Sequence, residues 1–166
     1  LLGEIINGKM VLNHTGQIVC ETLKWLEKQY DHVELDEWVI MPNHIHGIIV
    51  ITNNCRGGSR TAPTVKRKPI GRLVGAFKTV TTKHINQIRK TPGKNLWQRN
   101  YYEHVIRNED DLQRIRKYIV ENPIKWNFDR ENPEIQCGAV RDGATQCLYN
   151  FVVVSFGDLV PPNRLE

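Results

Sequence analysis

At 166 residues the chain has room for one domain with a sizeable core, or for a slightly smaller domain plus tails. Its 40% hydrophobic and 25% charged content is ordinary for a soluble globular protein, no apolar run approaches the ~18 residues of a membrane span, and a net charge of +5 with a pI near 9.1 favours a polyanionic partner. Cys20, Cys55, Cys137 and Cys147 show no CxxC pairing, which argues against a thiolate zinc site or a disulfide framework and, with no signal peptide visible, for free thiols in the cytoplasm.

The chain opens at Leu1-Leu2-Gly3 without an initiating Met, as a fragment or trimmed chain would. Glu4 to Ile6 and Lys9 to Leu12 flank Asn7-Gly8, a pattern that predicts a β-hairpin with a tight primed turn. Asn13 or Thr15 can cap a helix running to about Tyr30, with Ile18, Val19, Leu23, Leu26 and Tyr30 on one face. A strand from Val33 to Met41 leads through Pro42-Asn43 to a second, from His44 to about Thr52, and so short a turn makes the two antiparallel neighbours. On that second strand His44 and His46 project from one face, roughly 6.5–7 Å apart. Ile45, Gly47 and Ile49 take the other face, while Ile48 and Val50 continue the histidine face. Both faces carry apolar residues, so the strand reads as central and covered on both sides.

Residues 53–69 mix Gly, Ser, Thr and Pro with Arg56, Arg60, Lys66, Arg67 and Lys68, a basic and mobile loop. Ile70 to about Arg89 predicts the longest helix, with Leu73, Val74, Phe77, Thr81, Ile85 and Ile88 along its buried stripe. Arg72, Lys78 and Lys83 lie outside that stripe, and no acidic residue occurs between Ile70 and Lys94. Helical ion pairing therefore cannot explain these cations, and nucleic-acid contact gains weight. Leu96 to Arg107 reads as a loop entering a strand. Asn108 caps a third helix that carries Leu112, Ile115 and Ile119, and Pro123 is expected to break it after Asn122. Tyr118 and Asn122 fall one turn apart on a common face. Beyond about Phe128 the chain is polar and turn-rich, apart from a β-prone run at Phe151 to Phe156.

Met41 to His46 (Met-Pro-Asn-His-Ile-His), the long basic helix, Trp97 to Asn108 (Trp-Gln-Arg-Asn-Tyr-Tyr-Glu-His-Val-Ile-Arg-Asn) and Tyr118 to Pro123 (Tyr-Ile-Val-Glu-Asn-Pro) occur in this order. Together they resemble the REP-associated tyrosine transposases and the insertion-sequence-200-like transposases of the HUH single-strand nuclease superfamily, over roughly Leu2 to Phe128. The resemblance implies an α+β fold, with a ferredoxin-like (RRM-like) antiparallel sheet, helices packed on one face, and a first strand that lies before Leu1. Another strand could fill that place, Leu148 to Phe156 or one from another molecule. The domain division that follows is a transposase-like nuclease domain over 1–128 and a C-terminal tail over 129–166.

The resemblance also implies that His44, His46 and Asn122 bind a divalent metal, Mg²⁺ or Mn²⁺, and that Tyr118 is the nucleophile. The activity implied is a single-strand DNA endonuclease and strand transferase acting on hairpin-forming DNA through a 5′-phosphotyrosine link, as a monomer or homodimer. Arg72, Lys78, Lys83, Arg99 and Arg107 are candidate DNA contacts. Other readings stay open at this point. His44 and His46 could be core histidines bonded to carbonyls, Tyr118 an interface residue and Asn122 only a helix C-cap. The chain could also be an inactive, domesticated protein that binds DNA hairpins, or an RNA-binding module.

Overall fold

In a computed structural model of the chain, residues 1–52, 69–129, 132 and 150–156 are described. The first two strands, β1 (Gly3–Ile6) and β2 (Lys9–Leu12), form the expected hairpin. Asn7 and Gly8 turn it with φ of 52° and 71°, the left-handed pair that a primed turn requires. Asn13 caps α1 (His14–Gln29) by accepting the Gly16 N–H. A Cβ at Gly16 would lie 2.1 Å from the Leu2 carbonyl oxygen, so only glycine lets the hairpin rest on this first turn. Leu2 is fully buried, and its N–H donates to the Pro42 carbonyl at 2.7 Å. The hairpin is thereby tied to the turn that leads into His44.

That turn joins β3 (Val33–Ile40) to β4 (His44–Ile51), which pair antiparallel with a register shift between Leu35 and Trp38. After them come α2 (Ile70–Arg89), β5 (Tyr102–Ile106), α3 (Glu109–Lys125), a short 3₁₀ turn at Trp126–Phe128, and β6 (Asn150–Phe156). The larger sheet has the order β3-β4-β6-β5. The protein is α+β, as expected, and the described span of the candidate stretch Leu148 to Phe156 does enter the sheet. It lies between β4 and β5 and runs parallel to both, so the sheet is mixed rather than wholly antiparallel. The expected basic loop over 53–69 lies, except for Pro69, outside the described residues, as do Cys55, Cys137 and Cys147. Cys20 is a free thiol.

Two cores flank the sheet. Ile45 and Ile49 of β4 pack with Val19, Leu23 and Leu26 of α1 and with Leu73, Val74, Phe77 and Ile85 of α2. On the other face Ile48 packs with Ile106 of β5 and with Leu112 and Ile119 of α3. The helices thus occupy both faces, not one. The reason is visible in β4, whose histidine face also carries Ile48 and Val50 and needs its own cover. A second difference concerns Pro123, which does not end α3. The helix runs two residues further, and Trp126 closes it with its N–H on the Pro123 carbonyl. Burial of Trp126 beyond the proline, and of Asn122 before it, outweighs the local preference to stop. No helix among the described residues is long and apolar enough to cross a membrane.

Candidate active site

His44 and His46 leave β4 on the face that α3 covers, and both are buried. Their ring centroids are 4.6 Å apart, with the planes nearly perpendicular at 82°. Nδ1 of His44 lies 2.7 Å from the Asn43 amide oxygen. That oxygen only accepts, so Nδ1 carries the hydrogen and Nε2 presents a lone pair. Nε2 of His44 and Nε2 of His46 are buried and have no hydrogen-bond partner among the described residues. Burial pushes the His44 imidazole down to about 4. Burial and the neighbouring His44 push His46 down to about 3, against a raising pull from the Asp129 carboxylate. At neutral pH both rings are uncharged, the state in which imidazole ligates a metal.

α3 brings the other two expected residues to this face. Tyr118 sets its ring edge-on to His46, with centroids 5.3 Å apart, and remains 49% exposed. One turn on, Asn122 is only 4% exposed, and its Oδ1 is also buried without a hydrogen-bond partner among the described residues. Asn122 is not the C-cap of α3, a role taken by Trp126. Trp126 itself walls the site, 6.0 Å from the His44 ring. Among the described residues no three His, Cys, Asp or Glu side chains gather into a metal-binding group. Two imidazole nitrogens and one amide oxygen remain, a donor set without thiolate that suits Mg²⁺ or Mn²⁺. The burial of these three atoms without a hydrogen-bond partner among the described residues is a deficit that such an ion would make good.

Beside these residues a cleft of about 330 Å³ is lined by His46, Tyr102, His104, Arg114, Ile115, Tyr118 and Ile119. His104 Nε2 lies 2.8 Å from Asp111 Oδ2, and the other oxygen of Asp111 accepts the Arg114 guanidinium. Sequence reading assigned no role to His104 as a site residue and passed over Asp111, Arg114, Trp126 and Asp129. One available signal was the seven-residue spacing from Asp111 to Tyr118, which returns to nearly the same helix face.

The expected DNA contacts do not gather here. Arg72, Lys78 and Lys83 belong to α2, which packs against the opposite face of the sheet. Lys78 donates to the Gln98 and Asn100 carbonyls at 2.9 and 2.8 Å, so it pins that segment to α2, and its partial burial lowers its pKa. An open groove of about 850 Å³ on this side has Lys78, Lys83, Lys90 and Lys94 along it and Trp97 in its lining. Arg99 and Arg107 are exposed on either side of β5.

An α+β domain with an inward histidine pair and an adjacent tyrosine on a facing helix is the class that fold and site define. No family model matches the chain, and no solved structure is significantly similar to it. It is 36% identical over 139 residues to a protein of Haemophilus influenzae named only as uncharacterized, covering 78% of this chain and 76% of that one. The chain belongs to the same family as that protein. It is also 28% identical over 99 residues to the REP-associated tyrosine transposase of Escherichia coli, covering 59% of this chain and 48% of the relative. A second Haemophilus influenzae protein, whose name contains the same transposase term, is 28% identical over 93 residues. The chain spans about half the length of each of these two, 48% in both cases.

Proposed function

We propose that the chain is a metal-dependent, single-tyrosine DNA strand transferase of the REP-associated kind, acting on single-stranded, hairpin-forming DNA. One observation carries this reading. Nε2 of His44, Nε2 of His46 and Oδ1 of Asn122 are three buried potential ligand atoms with no hydrogen-bond partner among the described residues, and Tyr118 stands edge-on to the His46 ring. The names of the two 28%-identical relatives support it.

In the proposed reaction His44, His46 and Asn122 would hold Mg²⁺ or Mn²⁺. When bound, the ion supplies Lewis-acid polarisation of the scissile phosphate. Asn43 fixes the tautomer of His44, so that Nε2 meets the site as a lone pair. Trp126 packs beside the His44 ring and both histidines are buried, while Tyr118, half exposed, remains open to a strand entering from solvent. The Tyr118 phenol attacks phosphorus, the bond to O3′ breaks, and the chain is left with a 5′-phosphotyrosine and a free 3′-OH. The bond energy is kept for rejoining, and no nucleotide cofactor is consumed.

The test is incubation of the full chain with Mn²⁺ and an end-labelled hairpin oligonucleotide that carries single-stranded flanks. A covalent protein–DNA adduct is expected from the wild type and from neither Tyr118→Phe nor His44→Ala. Hairpin binding without any adduct, unchanged in Tyr118→Phe and indifferent to metal, would replace the transferase by a hairpin-binding protein.

A further inference from the structure

A tyrosine nucleophile raises a problem that the histidine pair does not solve. Phenol has an ordinary pKa of about 10, so attack near neutral pH requires a group that takes its proton. His44 and His46 have their Nε2 atoms committed to the proposed ion. We propose that His104, held by Asp111, is the general base for Tyr118. The inference rests on Tyr118 being the nucleophile.

His104 and Tyr118 line the same cleft, one from β5 and the other from α3. Asp111 and Tyr118 are seven residues apart on α3, which puts them on nearly one face with an axial separation of ~10 Å. The His104 ring enters from β5 at the Asp111 end of that interval, with Nε2 2.8 Å from Oδ2. A carboxylate only accepts, so the Nε2 hydrogen is directed at Asp111 and the neutral ring keeps its Nδ1 lone pair for another proton. An activated nucleophile calls for a base within its reach and a third group orienting the base; Asp111 supplies the orienting contact, and the shared cleft gives His104 and Tyr118 a common space.

Asp111 is itself firmly placed. Its backbone N–H donates to the Asn108 side chain at 2.8 Å, which fixes it in the first turn of α3. Hydrogen bonds from Arg114 and His104 hold its carboxyl below the usual carboxylate range. The groups that face His104 are Asp111, Arg114 and Tyr118 from α3, His46 from β4, and Tyr102 from its own strand. The sequence of β6, which runs alongside β5, contains no ionisable residue. Glu103, next to His104, accepts the Tyr101 hydroxyl instead.

The step balances without a further reagent. The Tyr118 hydroxyl proton passes to Nδ1 of His104, the phenolate oxygen bonds phosphorus, and the phosphorus–O3′ bond breaks. The released O3′ is protonated by solvent, and the imidazolium returns its proton to solvent. In the rejoining step Nδ1, protonated again from solvent, hands its proton to the departing tyrosine oxygen, while the attacking 3′-OH releases its own to solvent.

The experiment follows single-turnover adduct formation by the full chain with Mn²⁺ and a labelled hairpin oligonucleotide between about pH 5.5 and 9, alongside DNA affinity and thermal unfolding. His104→Gln is expected to form adduct ~100-fold more slowly and to lose the acid limb of the rate profile, with DNA affinity unchanged. Added imidazole is expected to restore part of the rate to His104→Ala but not to His104→Gln, and Asp111→Asn to lose less than His104→Gln. An active wild type with His104→Gln within about threefold of it at every pH sinks the base and leaves the transferase standing. The base is equally lost if the slower rate comes with matching losses of DNA affinity and unfolding temperature, because His104 is then a strut between β5 and α3. A wild type that forms no adduct sinks both.

Discussion

Asn122 sits in the interior of α3 with its amide turned into the protein and Oδ1 bonded to nothing among the described residues. Burying a polar atom without a partner costs on the order of 1–3 kcal/mol, so such an atom persists where something outside the chain repays it. Asn122→Leu keeps the branched four-atom side-chain skeleton and removes that orphan. Metal-free, this variant is expected to be more stable than the wild type by about 1 kcal/mol in urea unfolding. Mn²⁺ is expected to raise the unfolding temperature of the wild type and to leave Asn122→Leu where it was. A metal response that survives the substitution removes Asn122 from the ligand set. At this scale the sequence was informative about identity and weak about state. The pairing of His44 with His46 followed from strand alternation alone, and Tyr118 with Asn122 from helical periodicity. That Asn122 is buried rather than capping could not be read, because Pro123 points to a helix end and only the packing of Trp126 overrides it.

The candidate site residues come from two elements, so the proposed chemistry depends on how α3 is set against β4. Part of that placement comes from a neighbouring strand. Near the register shift of β3, Asp36 accepts two hydrogen bonds from the Arg116 guanidinium, from Nε at 2.9 Å and from a terminal nitrogen at 2.6 Å. Arg116 lies two residues before Tyr118, so this forked contact sets the rotation of the helix about its axis. It is partly open to solvent, which limits its worth. Arg116→Ala is expected to cost about 1–2 kcal/mol in equilibrium unfolding. Adduct formation is expected to fall by more than a stability loss alone explains, because the fraction folded stays near one. Full activity in Arg116→Ala would show that the apolar contacts of Leu112 and Ile119 hold the register unaided. The elements themselves were largely legible: Asn13 and Asn108 as caps, Asn7-Gly8 as a primed turn, and α2 to the residue. Their arrangement was not. Which face α3 covers, and that β6 enters the sheet parallel to β4 and β5, depend on long-range pairing that leaves no local pattern.

At the scale of the whole molecule, the described residues put the candidate site and the lysine-lined groove on opposite sides of the sheet. The histidines face α3 and its Tyr118, while the lysine-lined groove runs along α2 on the other side. From Ile70 to Tyr102 the sequence contains no Asp or Glu, so Lys83, Lys90 and Lys94 have no local carboxylate to satisfy them. Lys78 differs from these three, since it is spent on the Gln98 and Asn100 carbonyls. Under the proposed function the groove holds DNA backbone at a distance from the scissile phosphate, and the two sides can be separated by experiment. Each phosphate contact contributes about 0.7–0.9 to the slope of log affinity against log salt. Replacing Lys83, Lys90 and Lys94 together by Gln is therefore expected to flatten that slope by about 2 units and to weaken binding at low salt. Once DNA is saturating, the rate of adduct formation is expected to match the wild type, because no lysine of the groove lines the Tyr118 cleft. Lys78→Gln is expected to behave differently, losing unfolding stability with little change in the salt slope. If the triple variant keeps the wild-type slope, the groove makes no phosphate contacts, and the net charge of +5 acts only as a diffuse field. If its saturated rate collapses instead, the DNA path must wrap the edge of the sheet and couple the lysines to Tyr118.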